Sequence, residues 1–333
     1  MAQRLLLIMP NFFDYPQVIC EELQEMGYIV DYFDDRPSTR SIIKAIIRIN
    51  KKLISLYISN YSNKIINKIE KISYDYVLLI SGQSLSFDEN AIKKIKTTHP
   101  KAKFVLYQWD SLKNFPYIQK FHKYFDTIYS FDKKDVNNSE KMKFLPLFFS
   151  KKYQEIANNS KWDTKYDFSF VGTAHPKKYK LINKMSQELK QIYPKQFIYF
   201  FLPSKLVYIY RKIKNIEFRN AKYKEFHFVP LSNKELDKIL KNTNCILDSA
   251  QDGQNGLTIR TIEALGAQKK LITTNPNILT YDFYCEENIY VYSGEFDFNA
   301  KFFTNPYKPV DCKIYNQYTL HSWLNKLLDR ENL

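Results

Sequence analysis

Arg260 and Glu263 stand three residues apart in the stretch NCILDSAQDGQNGLTIRTIEALGAQKKLITTN, Asn244 to Asn275. On a helix that spacing puts both side chains on one face. A polar turn with two glycines, Gly253 and Gly256, comes just before them. A cation and a carboxylate beside such a turn suit a nucleotide: Arg260 for phosphate charge, Glu263 for ribose hydroxyls. The helix start adds free backbone N–H groups and the positive end of its dipole. The same spacing also serves a plain surface ion pair, worth about 0.3–0.5 kcal/mol.

The elements that hold this pair follow from pattern. Cys245 to Leu247 is a short apolar run and reads as a buried strand. Asp248 to Gly256 reads as a loop. Leu257 to Leu265 has helical spacing, and Gly266 is placed to end the helix. Lys270 to Thr274 reads as the next strand. A strand–loop–helix–strand unit predicts two parallel strands and a right-handed crossover. Its loop then lies at the carboxyl ends of the strands, where open α/β sheets bind ligands.

The rest of the chain repeats the theme. Apolar runs predict strands at Leu5–Met9, Tyr28–Phe33, Tyr76–Ile80, Phe104–Tyr107 and Thr127–Ser130, with a strand-like run at Met142–Phe148. Helical spacing separates them at Gln17–Met26 and Asp88–Thr98. The opening βαβ lacks the G-x-G-x-x-G dinucleotide fingerprint. Lys151 to Lys165 is polar and reads as a linker. The alternation restarts with a strand at Phe168–Val171, a tight loop at Gly172 to Pro176 and a helix at Lys178–Leu189. Further strands are predicted at Phe197–Phe201 and Ile289–Tyr292. Ser232 with Glu235 spells a capping box. The fold class is therefore α/β: two Rossmann-like domains with parallel doubly wound sheets. The domains are expected at 1–150 and 151–315, with a C-terminal helix in 316–333.

A chain of 333 residues with 44% hydrophobic residues can fill two cores, and seven glycines argue against low complexity. A net charge of +15 selects anionic partners: nucleic acid, an anionic membrane or a phosphorylated substrate. The charge is spread along the chain without a basic tail, RRM signature or zinc-finger spacing, so no nucleic acid is expected. Cys20, Cys245, Cys285 and Cys312 make no metal-site spacing and read as reduced thiols. No apolar run is long enough for a membrane span or a signal peptide, which predicts a cytoplasmic protein. Two basic, partly apolar stretches, Ser41–Lys71 and Leu206–Lys224, are candidates for the inner face of an anionic membrane; solvated helices explain them as well.

The words G-L-T-x-R-x-x-E-A-x-G and K-x-L-I-T-T-N, together with the L-L-I-x-P opening, resemble GT-B glycosyltransferases. The nearest resemblance is to the spore-maturation-protein-like branch of bacterial surface-polysaccharide synthesis. That resemblance implies an enzyme passing a sugar from a nucleotide sugar to a saccharide or lipid-linked acceptor held between the domains. The first domain would bind the acceptor and the second the donor. The resemblance places the donor ribose on Glu263 and its diphosphate on Gly256, Leu257 and Thr258, with Gly172 and Thr173 as a second donor contact. The segment His227 to Leu231 is similar to the one that flanks the donor base. The terminal helix is expected to cross back to the first domain. Many retaining members carry two glutamates with seven residues between them; here the first position holds Asn255, so the motif does not give the stereochemistry.

Glycosyl transfer needs a stabilised leaving diphosphate, a deprotonated acceptor and exclusion of water. The helix start and Arg260 serve the first need without a metal. The five histidines are dispersed and D-x-D is absent, so no cofactor or metal is expected. For the base of an inverting enzyme, Asp110 at the end of the fourth strand is favoured narrowly. Asp14 in the first loop comes next, and His175 third. Trp109 beside Asp110 offers an aromatic platform for a sugar. A nucleotide-sugar epimerase of the same fold, or a non-catalytic binding scaffold, is the alternative.

Overall fold

The computed structural model describes residues 2–36, 55–82, 84–158, 164–250 and 255–330. The first part of the basic stretch expected over Ser41–Lys71 lies outside them, as do Asp252, Gly253 and Gln254. The chain divides into two compact units. Met1–Pro146 and Leu320–Leu333 form the first, together with the short loop that ends at Gly256; Leu147–Asp252 and Leu257–Thr319 form the second.

In the first unit the strands are β1 (Arg4–Met9), β2 (Ile29–Asp34), β3 (Tyr76–Ser81), β4 (Lys103–Gln108), β5 (Thr127–Ser130) and β6 (Met142–Phe144). They pair in the order β2-β1-β3-β4-β5-β6, all parallel. Four of the strands are buried nearly throughout, because helices and loops cover both faces of the sheet. The helices are α1 (Tyr15–Glu25), α2 (Ser55–Ile69), α3 (Glu89–Thr98) and α4 (Lys133–Asn137). Leu6, Ile8, Leu79, Phe104 and Leu106 meet Ile66, Ile69, Ile92 and Ile95 in one core. The strand-like run stops at Phe144 because Pro146 has no N–H to donate.

The second unit opens with α5 (Lys151–Asn158) and β7 (Tyr166–Thr173). There follow α6 (Pro176–Leu189), β8 (Gln196–Phe201), α7 (Lys205–Lys214), β9 (Phe226–His227), α8 (Asn233–Lys241) and β10 (Thr243–Asp248). The unit is completed by α9 (Ile259–Gly266), β11 (Lys270–Thr273), β12 (Ile289–Val291), α10 (Lys301–Thr304) and α11 (Cys312–Gln317). The strand order is β12-β11-β10-β7-β8-β9, again all parallel. The capping box of Ser232 and Glu235 forms at the start of α8.

Three expectations are corrected. The polar stretch from Lys151 is a helix, not a linker, as far as Asn158; Tyr153 and Ile156, three residues apart, give it a buried face. The aromatic stretch after Leu206 is helical only to Lys214 and continues as short 3-10 turns. Gly266 is the last residue of α9, but it does not close the helix by a left-handed turn; the left-handed residue is Gln268 (φ 50°), beyond the cap at Ala267. Gly266 is a glycine because a Cβ on it would overlap the Phe149 ring.

The last helix, α12 (Leu320–Leu327), packs in the first unit. Trp323 is buried against Tyr107 with ring centroids 4.7 Å apart, and His321 meets Glu22 at 2.8 Å. Tyr129 donates to the Lys326 carbonyl at 3.0 Å.

Candidate functional site

Strand order alone picks out where each unit can bind. In the second sheet β7 has β8 on one side and β10 on the other, so the direction of winding switches between β7 and β10. Ligands of open parallel sheets bind beyond the strand ends at such a switch. The turn into α6 follows β7, and the loop into α9 follows β10.

The start of α9 is built by hydroxyls. Thr258 is its N-cap, with its Oγ1 accepting from the Thr261 N–H at 3.2 Å. The same hydroxyl donates to Asp248 Oδ2 at 2.7 Å, and Thr261 Oγ1 donates to that oxygen at 3.2 Å. Asp248 is buried at the end of β10, so strand end and helix start are clamped together. One turn on, Glu263 is also buried. Its Oε2 pairs with Arg260 Nη1 at 2.7 Å, and its Oε1 accepts from the Tyr153 hydroxyl at 2.5 Å. The Glu263 side chain is 4% exposed and that of Arg260 26%. The pair is therefore no surface ion pair: the carboxylate faces inward, and the guanidinium is its accessible half.

The other donor-side residues fall as follows. Leu257 is buried. Asn255 and Gly256 belong to the first unit. There the Asn255 N–H donates to Asp132 Oδ2 at 3.1 Å, and a Cβ on Gly256 would lie 2.5 Å from the Phe131 ring. The glycine is thus set by a close approach to Phe131. Gly172 and Thr173 are not in a loop; they end β7, in register with Phe200 and Phe201. His175 caps α6 ahead of Pro176. Partial desolvation and the positive charges of Arg211 and Lys178 hold its imidazole below the ordinary 6.5, favouring the neutral ring. Arg211 reaches the turn from α7 and donates to the Ala174 carbonyl. His227 stacks on Tyr199 with centroids 3.8 Å apart.

In the first sheet the switch lies between β1 and β3. Asp110 follows β4 and packs against Gly82, which follows β3; a Cβ at Gly82 would overlap the Asp110 carboxyl. Burial pushes the Asp110 carboxyl above its ordinary range, and Arg36 pulls it back. Trp109 is wedged between Phe12 and Tyr15, at 5.4 and 5.5 Å, both edge-on. Phe13 is largely exposed and takes a left-handed backbone (φ 49°), a costly conformation for a bulky residue. Asp14 starts α1; its carbonyl accepts from the Val18 N–H, and its side chain makes no cap.

Sequence reasoning passed over several residues here. Asp35, just after β2, is wholly buried; Ser81 and Ser84 donate to it at 2.8 and 2.6 Å. Burial pushes its carboxyl up to about 6, against the pull of these hydrogen bonds. Tyr153, Asp248 and Thr261 were also missed. Of these only Thr261 carried a signal, its N-cap spacing from Thr258. Among the described residues no cluster of His, Cys, Asp or Glu could hold a metal ion. A separate cavity of about 380 Å³ opens at the other, amino-terminal edge of the second sheet, lined by Tyr193, Cys245, Lys269, Phe303 and Tyr307 among others.

No protein-family model and no curated protein matches the chain. Solved structures do. Anabaena Alr3699/HepE, in complex with UDP and glucose, superposes with a TM-score of 0.63 at 9% identity, covering 98% of this chain and 99% of that one. A glycosyltransferase from Rickettsia africae ESF-5 gives 0.62 at 13% identity, over 100% of both chains. UDP-GlcNAc 2-epimerase from Neisseria meningitidis, bound to UDP-GlcNAc, gives 0.53 at 12%, over 98% and 99%. At these identities the likeness is one of fold. The chain has the α/β GT-B fold, with two parallel six-stranded sheets.

Proposed function

We propose that the protein is a glycosyltransferase that takes its sugar from a nucleotide donor, with UDP as the base-bearing half. The observation that carries this reading is the start of α9. A capped helix terminus clamped to the end of a parallel strand, with the Arg260 guanidinium held one turn away, is a place for a diphosphate. The HepE structures, which share the fold, contain UDP with glucose and UDP-glucose. In this reading Thr258 and the α9 backbone hold the diphosphate and Arg260 neutralises it. Glu263 sets the guanidinium from its buried side, and the ribose role the resemblance gives it requires the carboxylate to be uncovered. The end of β7, at Gly172 and Thr173, adds a second contact.

Transfer proceeds without a metal, the helix ends and cations stabilising the leaving group. Asp110 is the favoured base for an inverting reaction, ahead of Asp14 and His175. The sequence words of the spore-maturation-protein-like branch support a role in capsule, lipopolysaccharide or exopolysaccharide assembly, at the cytoplasmic face, on a saccharide or lipid-linked acceptor. The Neisseria epimerase favours a second reading, a nucleotide-sugar epimerase, which needs no acceptor.

Thermal unfolding with UDP, GDP, CDP, ADP, dTDP and CMP, with and without EDTA, tests the donor site. A ligand at about 100 times its Kd adds roughly 2.7 kcal/mol to the native state. UDP alone is expected to raise the melting temperature, and EDTA to leave that rise unchanged. No shift with any nucleotide overturns the reading. UDP appearing from a UDP-sugar only when acceptor is added separates transferase from epimerase.

A further inference from the structure

Helix α7 is amphipathic the wrong way round for a helix of a soluble core. Around the helix, at 100° per residue, Leu206, Ile209, Tyr210 and Ile213 fall within an arc of about 100°. That arc points away from the unit. Leu206 and Ile213 are each 76% exposed, and Ile209 and Tyr210 more than half exposed. Ile216, in the next turn, continues the patch at 70%. A lone exposed apolar residue needs no explanation, but a contiguous stripe of five does.

The opposite face docks the helix firmly. Tyr208 is buried and donates to the Ala221 carbonyl at 3.1 Å, where Lys212 Nζ also donates at 2.6 Å. Ser204 caps the start, accepting from the Val207 N–H at 3.3 Å. The apolar stripe is therefore presented by a fixed helix rather than left over from a frayed one.

Charge says what the stripe meets. Lys205 flanks the arc on one side and Lys214 on the other, both exposed. Arg219, Lys222 and Lys224 follow in the adjoining turns, also exposed. The acids of this segment are withdrawn: Glu225 accepts from the Tyr179 hydroxyl at 2.8 Å and from the Lys222 N–H at 2.7 Å, and Glu217 is half-buried. Protein interfaces are depleted in lysine, whereas an apolar arc edged by lysines matches the headgroup boundary of an anionic bilayer. We propose that α7 is a membrane-docking helix, lying in the headgroup plane with Leu206, Ile209, Tyr210 and Ile213 inserted and the flanking lysines on lipid phosphates. Among the described residues no helix is long and apolar enough to cross a membrane, so α7 seats the protein on the surface. The proposal does not depend on the transferase reading.

Flotation of the full chain with vesicles tests it. Wild-type protein is expected to float with phosphatidylglycerol–phosphatidylcholine vesicles at low salt and far less with phosphatidylcholine alone. The L206D/I213D double variant is expected to lose about tenfold or more in binding with its melting temperature unchanged, since both side chains are exposed. The K205E/K214E variant is expected to lose the preference for anionic lipid. If the aspartate variant does lose stability, Tyr210→Trp reads insertion directly, through quenching of the new indole by brominated lipid. Wild type that ignores anionic vesicles, an aspartate variant that floats like wild type, or an indole that brominated lipid leaves unquenched overturns the proposal. So does a wild-type dimer that L206D/I213D turns into monomer without any vesicle binding, which would give the stripe to a second copy of the chain.

Discussion

Each unit buries a carboxylate, Glu263 in the second and Asp35 in the first, and partners it differently. In the second unit Glu263 is matched by a guanidinium and a phenol, and Asp248 by two threonine hydroxyls. In the first unit Asp35 is met by serine hydroxyls and a backbone N–H, all neutral, and burial lifts its carboxyl to about 6. Asp110 is lifted too, with only Arg36 opposing. Burial by itself disfavours a charge; a cation in contact restores it. Glu263 has a cation against it and Asp35 has none, and that cation, Arg260, is what suits the second unit to gripping an anion. In the first unit Asp35, pushed up to about 6, and Asp110, pushed above its ordinary range, are both displaced toward holding a proton, as suits a group that takes one from a hydroxyl.

The largest expected effect tests the first unit. Asp110→Asn is expected to lower kcat about 10²- to 10⁴-fold, with UDP affinity unchanged, if Asp110 takes the acceptor proton. Steady-state kinetics with a bound-nucleotide control reads this; near-wild-type turnover would assign the base elsewhere. Next comes the paired carboxylate. Glu263→Ala leaves the buried Tyr153 hydroxyl unmatched and the accessible Arg260 without its acid, and denaturant unfolding is expected to show a loss of about 2–4 kcal/mol. A loss well below that range would mean that the pair holds position without holding the fold. The smallest effect sharpens the contrast through pH. The folded Asp35 carboxyl titrates near 6 against an ordinary 3.8, so its contribution to stability is full below about pH 4 and lost as pH rises through 6. Relative to Asp35→Asn, wild type is expected to gain about 2–2.5 kcal/mol between pH 7 and pH 4. A gap between the two that stays constant with pH would show that Asp35 is not held uncharged.

The parallel sheets were legible because strands covered on both faces are near-continuous apolar runs, as in LLLIM, YVLLIS and FVLY. The capping box at Ser232 was legible because its partners lie three residues apart. What was not legible depends on distance along the chain. Tyr153 meets Glu263 from 110 positions away, and nothing in a segment of lysines and asparagines announces it. Gly82 and Gly266 are glycines for the sake of Asp110 and Phe149, so their reason is a neighbour and not a turn. The chemistry of Arg260 and Glu263 was visible as a pair; that the acid turns inward was not, since spacing gives a face and not the depth of what covers it. For α7 composition marked a basic, partly apolar stretch but could not say which way its apolar residues point.

The return of α12 to the first unit sets an order of assembly during synthesis. Trp323 packs on Tyr107, and Tyr76 and Tyr129 donate to the carbonyls of Leu328 and Lys326. A ribosome delivers these closing contacts only after the whole second unit has been made. Domains fold largely as units as they emerge. The second unit, nearly contiguous in the chain, can consolidate while the first still waits for the helix that packs on Tyr107. The part of the protein made first is thus the part finished last, and a nascent chain stopped before Leu320 exposes Tyr107 where the complete protein places Trp323.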